Sequence, residues 1–354
     1  MQSGVIYKKI VVKIGSSILS KDNKLDTHFL GILVGQVCAL IDRGINAVLV
    51  SSGAVSSGMP VLKFKSRPNK IDDLQACASV GQGLLMQSYI EAFGDKGKHC
   101  AQLLLTWDDF DDRRRYLNAK NTILSLMRLK TVPVINENDT VSTEEIKFGD
   151  NDNLASLVAI MLKADLLVNL SDVDGLFDEV KALVPLVPKI TPDIKKLACP
   201  TKKNICRGGM ITKIEAAEKA VNSGIPCIIA NGKIADILPR IVLHKETAGT
   251  TFLPSLSRFA GKKSWIAYGV KPKGGIFIDE GAEQALLKKF KSLLSVGVLK
   301  SEGKFEKGDI VSVLNRHNKE IARGRTACSW HELELIKGRR HSCEIIHRND
   351  LVII

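Results

Sequence analysis

The residues best suited to chemistry lie within one stretch of the chain, residues 132–162. An apolar run at 132–135 leads into two polar clusters, 136–139 and 149–153, and an apolar helical pattern follows them. In an open α/β sheet, side chains at a strand end and at the start of the next helix point into one crevice, where ligands bind. The carboxylates and carboxamides here are too many to bury unpaired, and they predict a polar pocket for a cation, an ammonium group or backbone donors. The residues concerned are Asp139, Asp150, Asn151, Asp152 and Asn153.

Turn formation and helix capping offer a simpler interpretation of the same residues. Asp150 and Asp152 could cap a helix that begins at about Leu154, since short polar side chains do this readily. One helix needs one cap and at most a second acid near its positive end, so capping explains any single residue but not the whole set. A calcium-binding loop is excluded, because the fifth and twelfth positions counted from Asp150 are Leu154 and Met161, which offer no oxygen ligand.

Three further turns place glycine and serine directly after apolar runs. They are Gly15-Ser16-Ser17, Ser51-Ser52-Gly53-Ala54 and Ser171-Asp172-Val173-Asp174-Gly175. Such turns let backbone N–H groups approach an anion closely, and a following helix N-terminus adds favourable potential. Each turn alone also fits an ordinary tight loop, but several at one sheet edge favour phosphate binding. The GxxxxGK[ST] motif is absent, and Gly81-Gln82-Gly83 lacks the third glycine of a dinucleotide fingerprint.

Another glycine-rich turn, RGGMITK at residues 207–213, leads into a helical pattern. Gly208 and Gly209 make an anion-binding turn, and Lys213 follows within about one helical turn. A cation near a helix N-terminus is disfavoured by the helix dipole, so Lys213 is either solvated or paired with a bound anion. The preceding glycine pair favours the bound anion.

The elements that must position these residues alternate between strand-like runs and helical patterns. Strands are predicted at residues 9–14, 47–50, 102–105, 131–135, 166–170 and 226–230. Helices are predicted at residues 27–43, 71–93 and 113–129, from about 154 onward, and at 211–223. This alternation is typical of a mainly parallel sheet covered by helices on both faces. The polar turns that follow the strands would then meet at one sheet edge.

Length and composition indicate a folded protein with room for an accessory domain. The chain has 354 residues, of which 45% are hydrophobic and 25% charged. No apolar run approaches the roughly 20 residues that span a bilayer, and Lys13 interrupts the first apolar run too early for a signal peptide. A cytoplasmic location without membrane contact is therefore expected. Eight cysteines without a CxxC pair indicate free thiols rather than a zinc or redox site.

The last part of the chain differs from the rest in pattern and in charge. Proline, serine and paired lysines at 254–263 indicate a linker. Beyond it, short strands are predicted at residues 275–278, 297–298, 309–314, 320–324 and 343–346, and helices only at 281–290 and 329–335. Residues 260–354 contain 18 basic and 11 acidic residues, a difference of +7 within a net charge of +13. Such a surface suits RNA, or it is simply solvated.

The motifs KIGSS, SSGA, NEND, GDNDN and GGMxTK, in this order, resemble the amino-acid kinase family over nearly the whole chain, and the β-rich tail resembles a PUA domain. The INEND and GDNDN motifs are similar to those of one branch of this family, whose members phosphorylate the γ-carboxylate of glutamate in the first step of proline biosynthesis. The resemblance implies an α/β fold, an open αβα sandwich with a mainly parallel sheet, in residues 1–257. It implies a small β-rich PUA-like domain in residues 264–354.

The same resemblance implies roles for individual residues. Lys13 and Lys213 would stabilise the transition state, and Asp152 would hold them in place. Glutamate would be bound by Ser52, Asp139 and Asn151, with Asp150 supporting that pocket. Magnesium would travel on the ATP phosphates, with no metal ligand from the protein. The positions similar to the family's ATP contacts are Lys13, Gly15, Ser171, Asp172, Gly208, Gly209, Met210, Thr212 and Lys213.

The resemblance also implies partners. These are proline as a feedback inhibitor, a homo-oligomer (dimer or tetramer), and contact with glutamate-5-semialdehyde dehydrogenase, which acts next in the pathway. Two other functions stay open at this point, an RNA-binding protein that acts through the PUA-like domain and a kinase of the same fold for another acid. The tail has no aromatic stacking platform, since Trp330 is its only tryptophan beside Trp265 in the entry segment. The RNA-binding alternative is therefore the weaker one.

Overall fold

A computed structural model describes residues 7–21, 24–141, 151–198, 209–254, 263, 265–341 and 343–354. The chain divides into two compact units, Met1–Arg258 and Phe259–Ile354. Across these described ranges, no helix combines the length and the apolar character needed to cross a membrane. The six cysteines in the described ranges are free thiols, as the sequence predicts.

An eight-stranded sheet forms the centre of the first unit, in the order β5-β6-β4-β1-β7-β9-β10-β8. All neighbouring strands in it run parallel except β9 and β10, which are antiparallel. The predicted, mainly parallel sheet is thus confirmed. The strands of this unit, including the small β2–β3 hairpin, are β1 Lys9–Ile14, β2 Ser20–Lys21, β3 Lys24–Leu25, β4 Asn46–Ser51, β5 His99–Leu105, β6 Thr131–Glu137, β7 Leu166–Ser171, β8 Leu186–Val187, β9 Cys227–Asn231 and β10 Thr250–Phe252.

Helices cover both faces of this sheet. The helices of the first unit are α1 Ser16–Leu19, α2 Thr27–Ile41, α3 Ala54–Gly58, α4 Ile71–Gly94, α5 Asp108–Asp111, α6 Arg113–Arg128, α7 Asn151–Leu162, α8 Pro192–Leu197, α9 Met210–Asn222 and α10 Ile237–Val242. Residues of α2, α4 and α10 share one apolar core with alternate residues of the strands. Helices α6, α7 and α9 pack together on the sheet, with α7 against β1 and β7 and α9 against β9. The open αβα sandwich is confirmed.

Strand periodicity decides which side chains meet α7 and α9. Ile10, Val12 and Ile14 of β1 belong to the core on the α2 side, so Val11 and Lys13 point to the opposite face. In β7, Val168 and Leu170 belong to the α2 core, which leaves Asn169 on the other face. Lys13 and Asn169 are register partners in the parallel β1–β7 pair, so they lie side by side on that face.

The predicted elements match the observed ones closely, with one difference that affects the site. The helix expected from about Leu154 begins at Asn151. Asn151 and Asp152 therefore belong to the first turn of α7 and are buried, rather than lying in a solvated turn before the helix. The reason is that both side chains have partners on neighbouring strands, and those partners hold this end of α7 in helical form.

Two glycines allow α3 and α4 to pack unusually closely, and α3 directly follows the Ser52–Gly53 turn. A Cβ on Gly81 would lie 1.8 Å from the carbonyl oxygen of Ala54, and one on Gly58 would lie 1.9 Å from that of Cys77. No side chain larger than hydrogen fits at either position. The two glycines therefore fix the distance between α3 and α4.

The second unit is a small β-rich domain with its own apolar core, which contains Ile276, Val311 and Leu333. A five-stranded sheet has the order β13-β11-β14-β15-β17, in which only β11 and β14 pair in parallel, and β12 pairs with β16. These strands are β11 Gly275–Ile278, β12 Leu293–Leu294, β13 Val298–Glu302, β14 Ile310–Leu314, β15 Glu320–Arg325, β16 Glu344–Ile346 and β17 Leu351–Ile353. Its helices are Glu280–Lys289 and Trp330–Ile336, with a π-helix at Trp265–Gly269 and 3-10 helices at Ser295–Gly297 and Arg348–Asp350.

Candidate active site

The polar turns picked out in the sequence follow strands that end at one edge of the first unit's sheet. β6, β4, β1 and β7 are consecutive neighbours and run parallel, so their carboxyl ends point the same way. Backbone hydrogen bonds join the turns, from Gly15 N to Leu170 O (3.1 Å) and from Ser52 N to Ile14 O (3.0 Å). The edge is therefore one continuous polar surface, at the place where open α/β sheets bind ligands.

Asp152 lies at the centre of this group of polar residues. Its carboxylate is almost fully buried, since only 3% of the residue is exposed. Its Oδ1 lies 2.5 Å from Lys13 Nζ and accepts a 2.9 Å hydrogen bond from Asn169 Nδ2. Its Oδ2 lies 3.0 Å from Lys213 Nζ and accepts a 3.0 Å hydrogen bond from the Thr212 hydroxyl. Each oxygen thus binds one ammonium group and one neutral donor.

Burial and the neighbouring charges shift the pKa of Asp152 in opposite directions. Burial alone would raise the pKa, but the charges of Lys13 and Lys213 and their hydrogen bonds outweigh burial and lower the pKa well below its ordinary value. Asp152 therefore stays ionised at neutral pH. Because two ammonium groups share one carboxylate, the cluster keeps one excess positive charge, and an anion can bind there.

Glycines leave space beside the two ammonium groups. A Cβ on Gly15 would make a tight 3.3 Å approach to Leu170 O and would contact Lys13 Nζ at 3.6 Å, so the glycine leaves room beside this ammonium. Gly209 precedes α9 with φ +74°, a conformation that glycine adopts at little cost, and a Cβ there would meet nothing within 4 Å. The sequence favoured a bound anion as the partner of Lys213; in the structure Lys213 is buried and pairs with the carboxylate of Asp152.

A second polar cluster lies beside the first and is centred on Asn151. Its side-chain amide donates to Ser52 Oγ (2.8 Å), to Ser51 O (3.2 Å) and to Asn136 Oδ1 (2.9 Å). Asn136 in turn donates to Gln82 Oε1 at 2.8 Å. The cluster joins the ends of β4 and β6 to the start of α7, and so places Ser52 and Asn151 together as predicted.

One acceptor in this cluster has no hydrogen-bond partner within the described ranges. It is Oδ1 of Asn151, which is buried. A buried carbonyl oxygen without a donor is costly, and a ligand with N–H groups would satisfy it. Asp139 is half-buried in the turn after β6, where Asn138 N donates to Leu105 O.

Ser171 and Asp172 lie at the end of β7. The Ser171 hydroxyl donates to Asp172 Oδ1 at 3.2 Å, and the Ser171 carbonyl accepts from Gly232 N at 2.8 Å. Burial would raise the pKa of Asp172, but hydrogen bonds from its own amide, from Ser17 and from Ser171, together with the charge of Lys213, lower it overall. The turns after β1 and β7 are thus connected through Asp172.

Some predicted site residues lie outside the described residues, namely Asp150 and Gly208. Met210 is the first residue of α9 and is partly exposed. Thr212, predicted as an ATP contact, donates to Gly209 O as well as to Asp152.

The sequence analysis missed two carboxamides of the site, Asn136 and Asn169. Asn136 accepts from Asn151 Nδ2 and from Glu137 N, and it is 2% exposed. Asn169 interrupts the apolar run LLVNL of β7, before Ser171 ends the strand, and it is 1% exposed. A lone carboxamide in an otherwise apolar buried strand was the available signal, because such a group requires a partner.

Comparisons with known proteins agree with this geometry. The family model described as "Amino acid kinase family" matches residues 8–231, and that described as "PUA domain" matches residues 274–348. The chain is 44% identical to the glutamate 5-kinase of Thermoanaerobacter sp. (strain X514) over 365 residues, which covers 98% of each protein. It is 43% identical to that of Caldanaerobacter subterraneus subsp. tengcongensis over 364 residues, again with 98% of each covered.

Two further comparisons differ in strength. The glutamate 5-kinase of Methylococcus capsulatus is 44% identical over 364 residues, covering 98% of this chain and 97% of that protein. The solved structure of UMP kinase from Bacillus anthracis aligns with 70% of this chain and 97% of its own, with a TM-score of 0.49 and 15% identity. So distant a structural likeness supports no statement about function.

Proposed function

The chain belongs to the amino acid kinase family, and on that premise we propose that it transfers the γ-phosphoryl group of ATP to the γ-carboxylate of L-glutamate. The product is L-glutamyl 5-phosphate, in the first step of proline biosynthesis. Relatives named glutamate 5-kinase match nearly the whole chain. The single observation that carries the proposal is the pair Lys13 and Lys213 on the two oxygens of buried Asp152.

Phosphoryl transfer to a carboxylate brings two anions together. One γ-carboxylate oxygen of glutamate forms a bond to the γ-phosphorus, and the bond from that phosphorus to the bridging oxygen of ADP breaks. Catalysis therefore depends on positioning and on positive charge at the reacting atoms. No general base is needed, because a carboxylate is already an ionised nucleophile at pH 7.

Lys13 and Lys213 supply the positive charge in this proposal. Each ammonium has three donors, and we propose that both lysines also donate to phosphate oxygens when ATP is bound. Asp152 reduces the repulsion between the two cations and prevents either from turning away. The remaining excess charge stabilises the negative oxygens of the transferring phosphoryl group.

The Asn151 cluster is assigned to glutamate. Ser52 and Asn151 offer a hydroxyl and a buried carbonyl oxygen, which suit the substrate's α-carboxylate and α-ammonium respectively. Asp139 supplies a negative charge for the ammonium, and Asp150 would support the same pocket. The γ-carboxylate then extends toward Lys13 and Lys213.

The nucleotide is assigned to the glycine turns on the other side of the two lysines. We assign to it Gly15, Ser171 and Asp172, together with Gly209 and the first turn of α9, which contains Met210 and Thr212. Gly208, outside the described residues, is assigned by the resemblance alone. Magnesium enters on the ATP phosphates and reduces their charge, as part of the substrate. The dependence of turnover on magnesium is tested by omitting magnesium from the assay, which should abolish turnover.

An assay with ATP, magnesium and L-glutamate tests the proposed function directly. Hydroxylamine converts an acyl phosphate into a stable hydroxamate, so we expect hydroxamate to form in proportion to ADP. The same assay with L-aspartate, N-acetylglutamate and carbamate tests the alternative of another acid as acceptor. A greater rate with any of these than with L-glutamate would overturn the substrate assignment.

The second unit gives little support to an RNA-binding function. Trp265 is 8% exposed, and Trp330 is partly buried against the core of that unit, so the two rings do not form an exposed platform on which bases could stack. A gel shift with structured RNA at physiological salt is the test. Tight binding that resists salt would favour the RNA-binding alternative.

Regulation and assembly complete the proposal. Proline carries an α-carboxylate and an α-ammonium but no γ-carboxylate, so it would occupy the Asn151 cluster and inhibit in competition with glutamate. We also propose a cytoplasmic homo-oligomer, a dimer or tetramer, and contact with glutamate-5-semialdehyde dehydrogenase, which would protect the labile acyl phosphate. Inhibition kinetics, sedimentation and co-purification test these points in turn.

A further inference from the structure

Asn169 is a buried carboxamide on an interior strand of the sheet, a position that an apolar side chain usually occupies. Strand β7 lies between β1 and β9 in the sheet, and all its residues are buried. Burying an amide without full hydrogen bonding costs free energy. Oδ1 of Asn169 has no hydrogen-bond partner within the described ranges, so that cost is only partly offset.

Within the described ranges, the side chain of Asn169 donates to the carboxylate at the centre of the site. Its Nδ2 donates to Asp152 Oδ1 at 2.9 Å. Lys13, the register partner of Asn169 on β1, binds the same oxygen at 2.5 Å. Two neighbouring strand residues therefore hold one carboxylate oxygen from the sheet side.

Helix α9 holds the other oxygen of the same carboxylate, Oδ2 of Asp152, through Thr212 and Lys213. Because a neutral donor is fixed on each oxygen, the carboxylate plane cannot rotate freely. If the plane rotated, the oxygens that bind Lys13 and Lys213 would move, and both ammonium groups would be displaced with them. The neutral donor on the sheet side is Asn169.

We propose that Asn169 is a positioning residue for phosphoryl transfer, which fixes the carboxylate plane of Asp152 so that Lys13 and Lys213 stay on different oxygens. This inference rests on the proposed function. Asn169 acts through Asp152 and touches neither substrate. We therefore expect Asn169 to affect the chemical step more than the binding of glutamate or of ATP.

A purely structural role makes a different prediction. Leucine fits a buried apolar strand at least as well as asparagine and leaves no unsatisfied amide. If Asn169 served the fold alone, Asn169→Leu would lower stability and leave turnover per folded molecule unchanged. If Asn169 positions Asp152, the variant keeps or gains stability and loses turnover.

The first experiment compares Asn169→Leu with wild type and with Leu167→Ile, which alters the same face of β7 without removing a donor. We expect kcat of Asn169→Leu to fall by about 10-fold or more, as for a misplaced catalytic group. KM for glutamate and for ATP should change by less than about threefold. Unchanged kcat, or a raised KM with unchanged kcat, would overturn the inference.

Asn169→Asp is a second variant of the same size. When protonated, its carboxyl can donate to Asp152; when ionised, it repels Asp152. Among the described residues, the charged and titratable groups of the surrounding cluster are Asp152, Lys13 and Lys213, with Asp172 interacting with Lys213 and the Cys227 thiol interacting with Asp152. We expect the kcat of Asn169→Asp, relative to wild type, to fall as pH rises, and a constant ratio would overturn the inference even if Asn169→Leu failed to fold.

The proposed function and this inference fail in distinguishable ways. Wild-type protein that forms no hydroxamate from glutamate and ATP would overturn both. Active wild type together with fully active, folded Asn169→Leu would overturn only the role of Asn169.

Discussion

Lys13 and Lys213 come from opposite ends of the catalytic unit's sequence and bind different oxygens of a single buried carboxylate, that of Asp152. Lys13 is on the central strand β1, and Lys213 is on α9. Neither ammonium would be stable in so buried a position without a counter-charge. The carboxylate makes the pair possible, and in the proposed mechanism the pair provides the positive charge that a transferring phosphoryl group needs.

Removing either lysine should abolish most of the activity without unfolding the protein. For Lys13→Ala or Lys213→Ala we expect turnover to fall by about 10²-fold or more, the usual cost of one preorganised charge donor. Circular dichroism should remain that of wild type. Lys96→Ala, which changes an exposed lysine, is the matched control and should keep full turnover. Near-normal turnover in a folded Lys213→Ala variant would remove that residue from the mechanism.

Asp152→Asn should destabilise the protein more than either lysine substitution. It leaves two ammonium groups buried without their counter-charge, which costs about 3–5 kcal/mol when one partner of a buried ion pair is removed. The melting temperature at pH 7 should therefore fall clearly, and saturating MgATP should restore part of the loss by supplying negative charge. A melting temperature equal to that of wild type would show that Asp152 does not hold the lysines.

The lowered pKa of Asp152 also predicts how stability depends on pH. Its ionised form is favoured in the folded protein, so its contribution is present above its unfolded pKa, roughly 3.9, and is lost as pH falls below that value. The difference in stability between wild type and Asp152→Asn should be constant near neutrality and shrink below about pH 4. Chemical denaturation at a series of pH values measures this difference in the free energy of unfolding. A difference that grows in acid would contradict the assignment.

Asp139→Ala should affect the amino-acid substrate and not the nucleotide. We expect KM for glutamate to rise strongly, because a negative charge facing the substrate ammonium is lost, whereas KM for ATP stays close to the wild-type value. Steady-state kinetics with each substrate varied in turn provide the measurement. Weaker ATP binding with unchanged glutamate binding would show that the glutamate pocket has been misassigned.

Close packing of α3 against α4 predicts opposite effects at two nearby glycines. Gly81→Ala places a Cβ 1.8 Å from Ala54 O, so α3 must move, and with it the turn that contains Ser52. We expect a lower melting temperature and a higher KM for glutamate. Gly83→Ala meets nothing within 4 Å and should be neutral or slightly stabilising, by about 0.5–1 kcal/mol, as for other helical glycines. Equal effects at both positions would refute this account of the packing.

The sequence was sufficient to predict six of the eight strands of the first unit's sheet, its five longest helices and the convergence of Lys13, Asp152 and Lys213 at one edge. Alternating apolar runs determine the parallel sheet, and parallel strands bring their following turns together. Asn136 and Asn169 were missed because their importance depends on which side chains the strand register places beside them. The start of α7 was misplaced for the same reason, since partners distant in sequence keep Asn151 and Asp152 helical. Local pattern cannot supply such long-range partners.

The central claim, that the Asp152-anchored lysines promote attack of the glutamate γ-carboxylate on ATP, is tested most directly with L-glutamate that carries ¹⁸O in that carboxylate. Hydroxylamine attacks the acyl carbon of the product, so the phosphate leaves with one oxygen from glutamate. We predict that phosphate released by the wild-type enzyme contains one ¹⁸O atom and that Lys213→Ala produces such phosphate at least about 10²-fold more slowly. Phosphate without ¹⁸O would mean that water attacks ATP instead, and would contradict the account.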